Sequence, residues 1–262
     1  MMLKYLSLTG LLLSGILLYI KALKFRSTLY LGLFFFTISL YGLNQYVLLY
    51  SNSVFLVAVI ITNFTFIFYL TGPMMYWYIR SILTDNSRLR KSDFIHLLPM
   101  LIYLASALPY MLTPWSYKTE IAAAIIRDIG FAGTFKFTVL SEIFSNTVVY
   151  LSRPVVVLGY ALWCVGLFIR YIRQHKNRRV LSGQFFMIKW LAVFLGFVLI
   201  LIVSHLISIF LSFAQASDVF FTTNVLQILS AVGMIGLLGS PFFFPGILYG
   251  LPCIPDKILR NS

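Results

Sequence analysis

Seven runs of predominantly apolar sequence, at residues 3–20, 28–50, 54–79, 94–112, 148–170, 184–213 and 222–248, leave this chain few folds to adopt. Each is long enough, as a helix, to cross an apolar layer of roughly 30 Å. No water reaches the backbone inside such a layer, so each N–H and C=O must be satisfied within its own segment, which a helix does most economically. The period-two alternation of an outer-membrane barrel is absent from these runs. Charged residues make up 10% of the 262 residues and hydrophobic ones 60%, whereas a water-facing globule is nearer a quarter charged. The sequence therefore reads as an all-α membrane protein. Residues 1–252 form a bundle of seven transmembrane helices, and residues 253–262 form a cytoplasmic tail that begins a linker.

Lys and Arg in the short loops orient the bundle. Lys21, Lys24 and Arg26 lie between the first two runs, and Arg80, Arg88, Arg90 and Lys91 between the third and fourth. Arg170, Arg173, Lys176, Arg178 and Arg179 separate the fifth from the sixth, and Lys257 and Arg260 lie in the tail. The 51–53 turn has no basic residue, and the 214–221 loop carries only Asp218. The 113–147 connection has Lys118, Arg127 and Lys136 offset by Glu120, Asp128 and Glu142. All alternate loops agree: the N-terminus is outside and the C-terminus in the cytoplasm. The first run has one Lys before it, three basic residues after it and no evident small-residue cleavage site. It reads as a retained helix rather than a signal peptide. The net charge of +13 is explained by these loops, so no nucleic acid is expected on this segment; the basic run from Arg170 to Arg179 suits topology and anionic lipid.

Two stretches interrupt the regular pattern. Gly72-Pro73 near the end of the third run invites a bend, because proline removes a backbone donor. The seventh run ends in Gly239-Ser240-Pro241-Phe242-Phe243-Phe244-Pro245-Gly246, which makes its cytoplasmic end irregular. Gly72, Pro73, Pro241 and Pro245 are thus candidate residues of a hinge that passes a signal, against the plainer reading of packing kinks. Gly233, Gly236 and Gly239 share a face that admits a neighbouring helix closely.

Polar side chains inside apolar runs are costly and mark function or interhelical bonding. Asn44, Gln45, Asn63, Arg153, His205, Asn224 and Gln227 belong to this class, and with the orientation above they fall in the outer half of the membrane. Two readings stand: separate interhelical contacts, or the lining of an outward-opening cavity for a small ligand. Arg153 needs a partner, for which Glu142 or an anionic ligand would serve. Ile121, Ile125, Ile126 and Ile129 recur at helical spacing within 113–147, so part of that connection reads as an amphipathic helix over the bundle mouth or at the interface.

Several chemistries lack their residues. No Asp or Glu lies deep in a run, which argues against aspartyl proteolysis and carboxylate-relay transport. No HExxH pair, Cys/His cluster or Ser/His/Asp set is evident, and 222–248 has no lysine to bind retinal. No enzyme, metal or cofactor is expected. Cys164 and Cys253 give no disulfide framework.

Three strings carry a family resemblance: Gly72-Pro73-Met74-Met75-Tyr76-Trp77-Tyr78-Ile79-Arg80-Ser81, Asp93-Phe94-Ile95-His96-Leu97-Leu98-Pro99, and Phe244-Pro245-Gly246-Ile247-Leu248-Tyr249-Gly250-Leu251-Pro252. They resemble the seven-helix N-terminal membrane region of AraC-type helix-turn-helix transcriptional regulators of Bacteroidetes. Gly246 departs from the larger polar residue expected there. The resemblance implies a signal-sensing domain in a bacterial cytoplasmic membrane, whose DNA-binding output follows Pro252 and is absent from these 262 residues. A homodimer is compatible with that reading. A small membrane carrier or channel-like protein is the alternative.

Overall fold

A computed structural model of the chain describes the backbone of residues 2–20, 25–175, 182–214 and 219–244, and their side chains except those of 20, 182–184 and 212–224. Among the described residues there are only helices: α1 (Met2–Ile20), α2 (Arg26–Tyr50), α3 (Val54–Ile60), α4 (Thr71–Thr84), α5 (Leu98–Met111), α6 (Trp115–Arg127), α7 (Gly130–Thr134), α8 (Val139–Ile143), α9 (Asn146–His175), α10 (Ser182–Ala214) and α11 (Val219–Phe243). Two 3-10 segments, Thr65–Leu70 and Lys91–Leu97, lead into α4 and α5. Six helical stretches are long and apolar enough to cross a membrane, and α3 with the Thr65–Thr84 stretch makes a seventh if the bent pair is one span.

Contacts run from α1 to α2, α4, α9, α10 and α11 and back to α1, a closed ring; α5 lies beside it against the two 3-10 segments and α8. Inside the ring, Phe34, Phe35, Tyr78, Trp190 and Phe194 are fully buried. Lipid is as apolar as this core, so close packing rather than escape from water holds it. Within it, Trp190 Nε1 donates to the Tyr78 hydroxyl at 2.7 Å. Small residues bring α10 and α11 together. A Cβ on Gly233 would sit 3.0 Å from the backbone nitrogen of Leu201, and one on Gly236 would run into the Phe197 ring. Gly239, expected on the same packed face, meets nothing within 4 Å.

The bend of the third span lies elsewhere than the sequence suggests. α3 ends at Ile60, and the chain resumes at Thr65 with a change of direction of 50°. Gly72 and Pro73 instead occupy the first turn of α4, where a proline's missing N–H costs the helix little. Gly72 serves packing: a Cβ there would strike the Tyr160 ring of α9.

The 113–147 connection is structured. α6 lays Ile121, Ala122 and Ile125 against Val57, Ala58 and Ile61 of the third span, joined by Val47, Tyr110, Ala132 and Phe137. Ile126 is half-buried and Ile129 exposed, so the apolar stripe is narrower than four isoleucines. This second core caps one end of the ring.

Candidate ligand cleft at the broken span

The break in the third span creates the local chemistry. Thr62 has φ 64°, a left-handed conformation that a β-branched residue adopts only under strain of about 1–3 kcal/mol. It is buried there. Ending α3 frees carbonyl groups that need other donors. Asn63 satisfies two of them: its Nδ2 donates to the carbonyls of Ala58 and Val59, both at 3.0 Å. Its Oδ1 accepts from Lys118 Nζ at 3.3 Å, and the same ammonium donates to the Met111 carbonyl at 2.6 Å. Lys118, only 9% exposed, thus staples α6 to the break and to the end of α5. Asn63 is a capping residue, and it does not line the cleft described next.

That cleft lies between α2, the broken span, α5, the α8 segment and α9. Its walls include Asn44, Thr62, Tyr103, Ser141, Tyr150 and Arg153. Its envelope is about 520 Å³ including the space at its mouth. Arg153 reaches the cleft from the third turn of α9 and is 7% exposed. One terminal nitrogen, Nη2, donates to the Tyr103 hydroxyl at 2.8 Å. The guanidinium carbon lies 5.2 Å from the Tyr103 ring centroid and 4.9 Å from that of Tyr150. Tyr41 and Tyr69 are also within its electrostatic reach. Its Nε has no hydrogen-bond partner. Glu142 is exposed, and the ion pair among the described residues is Arg80–Asp93, so no carboxylate neutralises Arg153 there.

The other polar residues named from the sequence divide differently. Gln45 and His205 meet each other: Tyr41 and Gln45 approach His205 Nε2 at 2.7 and 3.3 Å. Tyr41 joins this bond between α2 and α10 to the neighbourhood of Arg153. Gln227 is exposed on α11, away from its buried neighbour Leu226. The side chain of Asn224 lies outside the described residues, as does Pro245; Pro241 is buried near the end of α11. Asn44 and Arg153 therefore share a cleft, Gln45 and His205 share an interhelical bond, and Asn63 and Gln227 belong to neither.

Sequence reasoning missed the tyrosines. Arg153 is held by Tyr103 and Tyr150, and the signal available was Tyr150 one helical turn before it. It also missed a cluster at the far end of α4. Arg80 grips Asp93 with two bonds, 2.5 and 2.8 Å, and Asp93 also accepts from the Arg90 backbone at 2.6 Å. Beside them His96 Nδ1 and the Tyr160 hydroxyl lie 2.7 Å apart, and the Tyr76 and Trp163 rings stack at 4.8 Å. Two of the three strings that carry the family resemblance thus meet here. Among the described residues no group of His, Cys, Asp and Glu could hold a metal. No family model, curated protein or solved structure matches the chain.

Proposed function

We propose that the chain is the receiving domain of a membrane sensor, in which occupancy of the Arg153 cleft is relayed along the broken third span. One observation carries this reading. A single span lines the cleft with α3 and Thr62 at one end, and at the other holds the Arg80–Asp93 clamp beside His96. The 50° bend falls at the cleft end, at the break that holds the strained Thr62. A segment held away from its preferred conformation by its surroundings can have a second arrangement close in energy, which a ligand that binds one arrangement better will select. The orientation read from the loop charges puts the cleft outside and the clamp at the cytoplasmic face. The resemblance to the membrane region of AraC-type regulators supplies the proposed output, a DNA-binding domain beyond Pro252.

Arg153→Met removes the cleft's charge as an anion would neutralise it. Spin labels at Asn86 and Gln174, both exposed toward the Arg80 end, should then show an altered distance distribution in reconstituted protein. An unchanged distribution in a variant of normal helix content defeats the relay. The carrier alternative is separated by flux: proteoliposomes should accumulate no solute through the protein, and measurable uptake would favour transport.

A further inference from the structure

We propose that the Arg153 cleft is built for the carboxylate end of a slender monocarboxylate, either a short organic acid from solution or a fatty acid from the bilayer. The inference rests on the receiving role proposed above and gives it a ligand class. Three observations support it.

The first is the uncompensated charge. A buried guanidinium is tolerated when it is paired, and here it meets only tyrosines, with the Tyr103 and Tyr69 hydroxyls and two aromatic faces around it, while Nε lacks an acceptor. An anion bound at that edge would supply the acceptor and the counter-charge together. A carboxylate's two coplanar oxygens match the planar fork of an arginine. The second is size. The envelope of about 520 Å³, mouth included, accommodates a short acid or the head and first carbons of a longer one. The third is the character of the walls. Val47, Leu48, Val57, Ile60 and Ile61 form the side toward α2 and α3, a surface for an apolar chain, while the Asn44 amide on the same wall offers a further donor. The cleft also opens on the first turns of α9, whose positive helix end favours an anion.

The test uses the full chain in nanodiscs of zwitterionic lipid, with propionate, decanoate, decanol and decyl phosphate as probes and the thermal unfolding midpoint as readout. A saturable rise with propionate alone identifies a soluble acid, and one with decanoate alone a bilayer-derived acid; either supports the proposal. Decanol and decyl phosphate should bind about tenfold more weakly or worse, the cost expected when a charged hydrogen bond is missing or misplaced. Arg153→Gln should lose the effect, and Arg153→Lys should retain part of it. Should Arg153→Gln not fold, Ile60→Trp narrows the cleft without touching the charge and should abolish the carboxylate response. Equal responses to decanol and decanoate, tighter binding of the phosphate, a response that survives in Ile60→Trp, or no response to either acid would each overturn the assignment. If neither acid acts while Arg153→Met still alters the spin-label distances, the ligand class is wrong and the sensing role stands.

Discussion

At the scale of single residues, the third apolar run is unusual because its strain and its compensation lie side by side. Thr62 takes a backbone conformation that suits asparagine better than a β-branched residue. Thr62→Asn should therefore raise the unfolding midpoint in detergent, by an amount equivalent to about 1 kcal/mol; a lowered midpoint would show that the threonine side chain matters more than its backbone. Asn63→Leu should act oppositely. It leaves the carbonyls of Ala58 and Val59 and the Lys118 ammonium each short of a partner, a loss of about 2 kcal/mol or more. A double-mutant cycle with Lys118→Met should show coupling between the two positions, and strict additivity would mean that the 3.3 Å contact contributes nothing. At the other end of the span, Arg80→Met strands Asp93 with only the Arg90 backbone as donor. The expected cost is about 3 kcal/mol, measured by the same unfolding assay.

At the scale of elements, the apolar runs located the helices well because length and lipid leave the backbone one economical choice. The run at 148–170 lies within α9 and that at 184–213 within α10. The third run was the exception. Its composition is apolar throughout 54–79, so nothing in hydropathy marks Ile61–Phe64, and the Gly-Pro pair drew attention to a place where the helix merely begins. The break depends on Asn63 reaching back to carbonyls and on Lys118 arriving from a different helix. Only folding brings that juxtaposition about. The candidate site divides in the same way. Arg153 was legible as a charge in an apolar run, whereas its tyrosine partner is fifty residues away. Asn63 and Gln227 read the same as Asn44 in a string of letters because depth can be counted along a span and facing direction cannot. Packing glycines were partly legible. Gly236→Val should drive a side chain into Phe197 and lower stability by about 1–3 kcal/mol, while Gly239→Ala, in open space, should leave it unchanged.

At the scale of the whole molecule, the fold is a ring of helices capped at one end by the α6–α8 connection, with a core in each part. The proposed orientation is open to direct measurement. Reporter fusions at residues 85, 175 and 258 should read as cytoplasmic and those at 52, 130 and 217 as external. A cytoplasmic reading at 130 would break both the topology and the outward cleft, since that residue begins α7 in the cap. The Arg80–Asp93 pair has one more consequence, which concerns the order in which a chain leaves the ribosome. Its partners are 13 residues apart, while Arg153 and Tyr103 are separated by 50 and Tyr41 and His205 by 164. Closing a short loop costs less entropy and requires less of the chain to have been made. The clamp can form while α9 is still being synthesised, so the nascent chain would enter the bilayer with the α4–α5 hairpin already pinned. The cleft, by contrast, can be completed only when α9 docks against that preassembled pair.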